Sequence, residues 1–275
     1  MSYATIMVHV DADGEISGRV RVAAQLANQF KSRLIGISSW RPRPPFAIEG
    51  VVIDPKLTTE DIVNRNAALK ARGEKFKTGA GLESHRVEWR CAQKFPIPYV
   101  LQEARAADLL VIGREGRNLD PYLFLDPGSL LLGAGRPVLL APPGVSSIDI
   151  GKIVVAWKDT REARRAIRDA LPVLQQAETV ILTEFCRSPD DVAPAQRRLD
   201  DVAQYLASHR INSIIQKVQP SQDAVEDSLL AFVQRESAGL IVAGAYGHSR
   251  VGEWIFGGVT QALLTRSPIC CLFSH

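Results

Sequence analysis

Two stretches of the sequence, residues 107–143 and 238–274, follow the same pattern of apolar runs and glycines. In each stretch a short apolar run, typical of a fully buried strand, ends at a glycine, and a second glycine follows three positions later. At 275 residues the chain has room for two domains of ordinary size. The repeat therefore predicts two copies of one structural unit, with domains at 1–143 and 150–275. The matching positions are Gly113, Gly116 and Gly128-Ser129 in the first stretch, and Gly244, Gly247 and Gly257-Gly258 in the second.

The order of strand, glycine loop and helix is one that can hold a phosphate group. Glycine lets backbone amides approach an anion without a side chain in the way, and the start of a helix adds unpaired N–H groups and a positive dipole end. The same glycines can also serve a tight turn or close packing with no ligand present. The glycines alone therefore leave both interpretations open.

Strand-like and helix-like segments alternate through both halves of the chain. The segments 5–10, 34–38 and 84–89 have strand character, and 18–30, 58–77 and 98–107 have helical spacing. The second half repeats this order, which predicts parallel sheets with helices on both faces and right-handed crossovers. One stretch, 41–55, is rich in proline, and we predict a long loop there.

Ligands of such sheets bind beyond the carboxyl ends of the strands, where the strand order reverses. The turns after the first and fourth strands of each half are therefore the candidate binding positions. In the first half these turns contain Asp11 and the loop that starts at Gly113. In the second half they contain residues 158–160 and the loop that starts at Gly244.

Composition and charge argue against several classes of partner. Hydrophobic residues make up 46% of the chain and charged residues 23%, which is ordinary for a globular protein. No apolar run reaches the roughly 20 residues that span a bilayer, and the first residues lack a signal-peptide pattern, so we expect a cytoplasmic protein with no membrane partner. The net charge is only +3, and the arginines of 161–168 share a predicted helix with acidic residues, so we expect no nucleic-acid partner.

The sequence offers little for catalysis. It contains no nucleophile elbow, no HExxH pair and no Walker lysine, and its four cysteines lack metal-binding spacing. A bound nucleotide with Mg²⁺ needs only an oriented water for slow hydrolysis, so a weak ATPase activity stays open. We expect a protein that is not an enzyme, with no catalytic residue and no protein-bound metal.

Each half resembles a universal stress protein domain. The resemblance rests on a strand, G-x2-G, nine residues, G-[ST], a short helix, [SA]-P and a final strand, and it covers nearly all of the chain in tandem form. It implies two Rossmann-like α/β domains of the adenine nucleotide alpha hydrolase-like kind, each with a five-stranded parallel sheet. It further implies a cytoplasmic stress-response role and, in one branch of the family, ATP held by the glycine loop. Another branch lacks the loop pattern and binds no nucleotide.

The second half keeps the spacing of the nucleotide-binding branch, with residues 248–256 as the nine between the glycines. It departs at Gly258, where the family has Ser or Thr, unless Thr260 substitutes for the lost hydroxyl. It departs again at Lys158, which takes the place of an acid near the adenosine, so that Asp159 would have to stand in. We favour ATP binding, with or without Mg²⁺, in this half. The residues that the resemblance implies for it are Gly244, Gly247, His248, Gly257, Gly258, Thr260, Asp159 and Thr160.

The first half departs in the opposite way. Asp11 stands where the family acid belongs, and Ser129 keeps the hydroxyl. Eleven residues, 117–127, separate the glycines, and Asp120 and Asp126 within them would repel a triphosphate unless a metal ion intervenes. We therefore favour a structural role for this loop. The counterpart positions of a nucleotide site are Asp11, Gly113, Gly116, Gly128 and Ser129.

The resemblance also implies how the halves associate. It predicts intramolecular pairing of the two domains through their last strands, 138–141 and 269–273, whose apolar edges would otherwise invite aggregation. We also expect a homo-oligomer. Two alternatives to an ATP-binding stress protein stay open, namely a nucleotide-free dimerisation or interaction protein of the same fold and a slow ATP hydrolase.

Overall fold

A computed structural model describes residues 2–12, 18–43, 46–48, 51–53, 58–114, 121–212, 214–220, 224–246 and 257–275. The strands of the first half are Thr5–His9 (β1), Arg33–Ser39 (β2), Phe46–Ile48 (β3), Val51–Ile53 (β4), Val87–Ala92 (β5), Leu109–Gly113 (β6) and Val138–Ala141 (β7). Those of the second half are Lys152–Ala156 (β8), Thr179–Cys186 (β9), Ile214–Pro220 (β10), Leu240–Gly244 (β11) and Cys270–Ser274 (β12). The helices are Gly18–Phe30 (α1), Thr59–Gly79 (α2), Pro96–Glu103 (α3), Pro127–Gly133 (α4), Arg161–Leu174 (α5), Val192–Ser208 (α6), Val225–Arg235 (α7) and Gly258–Arg266 (α8).

Local sequence signals account for where the helices lie. The bounds of α1 are those that the apolar spacing predicts, and its buried face includes Val20, Ala23 and Leu26. Thr58 begins α2 with a capping box, because its hydroxyl accepts from the Asp61 amide at 3.1 Å while the Asp61 carboxylate accepts from the Thr58 amide at 2.8 Å. Among the described residues, no helix has the length and apolar character needed to cross a bilayer.

Ten of the described strands form one sheet in the order β10-β9-β8-β11-β12-β7-β6-β1-β2-β5. Within each half the five strands are parallel, as predicted for a tandem α/β fold. The halves meet where β12 and β7 pair antiparallel, with Leu272 opposite Leu139 and Cys271 opposite Leu140. Both strands are buried along their length, so these apolar edges cover each other.

Helices cover both faces of the sheet. Buried side chains of α1, α2, α5 and α6 belong to one apolar cluster, and those of α3, α4, α7 and α8 belong to the other. Each cluster contains residues of both halves, so the core continues across the β7–β12 pair. Hydrogen bonds also join the first half to the rest of the chain. The Tyr3 hydroxyl donates to the Asp169 carbonyl at 2.7 Å. The Gln25 side chain forms two hydrogen bonds with the backbone of Ile148, in the segment before β8.

The prediction of a long loop at 41–55 was wrong in part. Strands β3 and β4 form a short antiparallel pair inside this stretch, with Phe46 opposite Ile53. Proline removes a ladder donor only where it stands, and the prolines of this stretch lie outside both strands. The intervening sequence, FAIEGVVI, is rich in β-branched residues and has a glycine at its centre, which is a hairpin signal.

Candidate functional site

A cleft of about 680 Å³ opens at the carboxyl ends of the second-half strands. It lies where the strand order reverses, since β9 follows β8 on one side while β11 lies on the other. Ligands of open α/β sheets bind at this position. The lining residues that matter below are Trp157, Lys158, Thr160, Glu184, Arg187, Arg198, Glu226, Gly244, Gly257, Gly258 and Thr260.

Helix α8 starts at this cleft, and no side chain of the described residues is recorded as capping its first turn. Gly257 is the N-cap residue and offers no side-chain acceptor to the first amides. Thr260 is buried in the first turn, and its hydroxyl accepts from the Tyr246 amide at 3.4 Å, which ties the end of the glycine-loop strand to the helix. Backbone amides at an uncapped helix start are suited to binding an anion.

Gly244 lines the same cleft but also has a packing role. A Cβ at this position would lie 2.5 Å from the Ala163 amide nitrogen and 2.7 Å from the Glu162 carbonyl carbon, both in the first turn of α5. The absence of a side chain therefore lets β11 approach the start of α5. Packing alone is sufficient reason for glycine here, whatever binds in the cleft.

Of the residues in the turn after β8, Lys158 and Thr160 line the cleft and Asp159 does not. Thr160 lines the cleft and caps α5, since its hydroxyl accepts from the Ala163 amide at 3.3 Å. Lys158 also lines the cleft. Asp159 lies outside the lining, is half exposed, and pairs with Arg164 at 2.5 Å. The structure thus places a lysine, and not a carboxylate, at this end of the cleft.

Four functional candidates escaped the sequence analysis. Glu184 lies within β9 and accepts from Arg198 at 2.5 and 3.1 Å, and both line the cleft. Trp157 is 8% exposed, and its indole N–H has no hydrogen-bond partner among the described residues. The fourth candidate is Glu226 on α7, which also lines the cleft. The one available signal was Glu184, a lone charge inside the apolar strand TVILTEFC, because a buried charge requires a partner.

Several predicted positions cannot be placed. Gly247 and His248 of the second half, and Gly116 and Asp120 of the first, lie outside the described residues. The described part of the second glycine loop is its two ends, Gly244 and Gly257 with the residues that adjoin them.

The first half fills the corresponding position with its own side chains. Arg19 is buried and forms an ion pair with Asp11, the residue in the place of the family acid. Its guanidinium carbon would lie 2.7 Å from a Cβ placed on Gly113, so the arginine occupies the space beside that glycine. His9 adjoins the pair, with Nδ1 3.6 Å from an Asp11 oxygen. Asp11 is therefore already neutralised within the chain.

The helix start of the first half is also occupied. Asp126 is the N-cap residue of α4, and its carboxylate accepts from the Ser129 amide at 2.7 Å. A carboxylate in this position satisfies the helix start and repels a phosphate. Gly128 is buried beside it, and the helix is only seven residues long. In the first half Arg19 thus contacts both Asp11 and Gly113, and Asp126 caps the helix that contains Gly128 and Ser129.

His9 is expected to lower the free energy of unfolding of the protein in mild acid. Burial and the nearby Arg19 guanidinium lower the pKa of His9 from 6.5 to about 3. Below pH 6.5 the unfolded chain therefore binds a proton at His9 that the folded chain does not bind. The contribution of His9 to the free energy of unfolding is complete above pH 6.5. It falls by about 1.4 kcal/mol for each unit of lower pH, down to the folded pKa. Urea unfolding at pH 6.5 and 5 should show a loss of about 2 kcal/mol from this residue.

Two variants separate this effect from other titrations. His9→Asn should remove that part of the loss, whereas His85→Asn, at an exposed histidine, should keep it. An unchanged pH slope in His9→Asn would mean that His9 is charged in the folded protein.

Comparison with known proteins identifies the fold. No protein-family model and no curated protein matches the chain. Among solved structures, a universal stress protein from Archaeoglobus fulgidus DSM 4304 superposes with a TM-score of 0.73 at 13% identity, over 98% of this chain and 97% of that one. A protein of unknown function from Pseudomonas aeruginosa PAO1 superposes with a TM-score of 0.59 at 14% identity, over 98% and 92%. The chain has the two-domain α/β fold of the first of these proteins from end to end, as the resemblance predicted.

Proposed function

We propose that this chain is a tandem universal stress protein, acting in the cytoplasm as a stress-response or regulatory module that binds ATP in its second half. The observation that carries the proposal is the contrast between the halves. The second half has an open cleft of about 680 Å³ with an uncapped helix start. The corresponding space of the first half contains the Arg19–Asp11 pair, and its helix start is capped by Asp126.

The cleft offers distinct contacts to the two ends of a nucleotide. The backbone amides of Gly257 and Gly258 would donate hydrogen bonds to phosphate oxygens. The Thr260 hydroxyl lies in the same helical turn. The nucleoside would lie toward the end of β8, where Trp157 and Thr160 line the cleft. Mg²⁺, which the phosphates themselves can coordinate, would enter the cleft bound to them.

A nucleotide-free interaction protein remains the second candidate. Gly244 is explained by packing against α5, and Lys158 replaces the acid that the nucleotide-binding branch carries. In that case the protein would act by binding other proteins through its surface, and the chains would associate further with one another. A direct titration distinguishes the two candidates.

The test is a calorimetric titration of the nucleotide-stripped protein with Mg-ATP. We expect one site per chain. Gly257→Val should weaken binding by about tenfold or more, because Gly257 lines the cleft and a Cβ there meets no atom of the described residues within 4 Å, so the added side chain would enter the space of the ligand. Ser129→Val, at an exposed position of the first half, is the control and should bind as the parent protein does.

Two other outcomes are informative. Two sites per chain would show that the first half also binds, and weakening by Ser129→Val would then be expected. Absence of binding heat together with an unchanged melting temperature would exclude the nucleotide proposal and leave the interaction protein.

A further inference from the structure

A carboxylate lies against the start of the helix that would receive phosphates. Glu226 is in the first turn of α7, is half buried and lines the cleft. A Cβ placed on Gly258 would lie 2.9 Å from Glu226 Oε1 and 3.1 Å from both Cδ and Oε2. A side chain at position 258 would require this carboxylate, which is the end of a flexible side chain, to move away from the start of α8.

Glu226 differs from the other acids of the cleft. Glu184 is held by Arg198 through two of its nitrogens. Within the part of the chain that the structure describes, no cation or hydrogen-bond donor is paired with Glu226. Its negative charge is therefore presented to whatever approaches Gly258.

A second feature of the cleft points to a ligand independently. The Trp157 indole N–H can only donate, is buried with 8% of the residue exposed, and has no acceptor among the described residues. An unpaired buried donor is unfavourable, and an acceptor atom on a bound molecule would satisfy it. Within the described part of the chain, the residues that line the cleft thus include Trp157, whose indole donor is unsatisfied, and Glu226, whose carboxylate is unpaired.

We propose that Glu226 determines which phosphate chains the second-half cleft accepts, selecting against a long chain that carries no metal. This inference rests on the proposed nucleotide site. Each further phosphate adds negative charge beside the carboxylate at the start of α8, and like charges at short range repel. A divalent cation on the phosphates cancels that charge and removes the penalty. The cleft therefore binds AMP and Mg-ATP more tightly than it binds metal-free ATP.

The experiment compares AMP and ATP in buffer with EDTA and then in buffer with Mg²⁺. In EDTA the parent protein should bind ATP about tenfold more weakly than AMP, and Mg²⁺ should remove most of the deficit. Glu226→Gln removes the charge at nearly constant size and should abolish the deficit in EDTA. Asp227→Asn is the matched control, because Asp227 is exposed on the next position of α7 and pairs with Arg266 at 2.7 Å. It should retain the deficit.

The possible failures are distinguishable. Equal affinities of the parent protein for AMP and ATP in EDTA overturn the role of Glu226 without needing any variant. A deficit that persists in a folded Glu226→Gln protein also overturns it, since the discrimination would then have another source. If neither nucleotide binds in either buffer, the proposed function itself fails and this inference falls with it.

Discussion

Arg19→Ala is expected to lower the free energy of unfolding by about 3–5 kcal/mol, the largest effect of any single substitution considered for this protein. The Arg19 side chain is 3% exposed and that of Asp11 14%, so the pair is shielded from solvent. Removing the arginine leaves the Asp11 carboxylate beside the buried ring of His9 without its cation. Urea unfolding at pH 7 measures the loss.

An exposed ion pair of the second half provides the control. Arg164 and Asp159 lie 2.5 Å apart with side chains 60% and 51% exposed, so Arg164→Ala should cost less than about 1 kcal/mol. The double variant Arg19→Leu with Asp11→Asn should recover part of the loss, because no charge is then left buried. Equal losses for Arg19→Ala and Arg164→Ala would mean that the Arg19 pair is not buried in solution.

Gly244→Ala is expected to destabilise the protein by about 1–3 kcal/mol and to lower its melting temperature. The new methyl group would lie 2.5 Å from the Ala163 amide nitrogen, closer than non-bonded atoms can stand. The atoms in the way belong to the backbone of α5 and not to the end of a side chain. The contact can therefore be relieved only if the backbone of β11 or of α5 moves. Thermal unfolding with and without nucleotide measures the effect.

Gly257→Ala is the matched control at the other end of the same loop. A Cβ there meets no atom of the residues that the structure describes within 4 Å, and the residue has a φ of −59°, which alanine adopts freely. Its melting temperature should stay close to that of the parent protein. If both alanine variants are equally stable, β11 does not approach α5 as closely as the structure shows, and the packing explanation of Gly244 is wrong.

The features that could be predicted from the sequence are those encoded by neighbouring residues or by the repeat. The helix Gly18–Phe30 follows from apolar spacing within a single segment, and the start of α2 from the Thr58–Asp61 capping box. The tandem α/β fold follows from alternation of strands and helices together with the doubled glycine pattern. For the two helices the information lies within a few turns of chain, and for the tandem fold it lies in the repeat.

The features that escaped prediction depend on contacts between elements. Arg19 looks like a surface residue of α1, and only the fold brings its guanidinium against Gly113 and Asp11. Glu226 belongs to α7, and its meeting with Gly258 requires the packing of α7 on α8. The hairpin at 46–53 was missed because the prolines around it dominated a short window. Spacing within one segment carries none of this information.

The antiparallel pair of β7 and β12 places the partner of each half within the same molecule. Two separate chains would have to find each other at a rate and affinity set by their concentration, whereas a tethered partner is present at a fixed effective concentration. The association of the halves is consequently independent of how much protein the cell makes. The Arg19–Asp11 pair and the Asp126 cap of α4 lie in the same half as β7, so the half that supplies one edge of this pairing also satisfies its own buried charge and helix start.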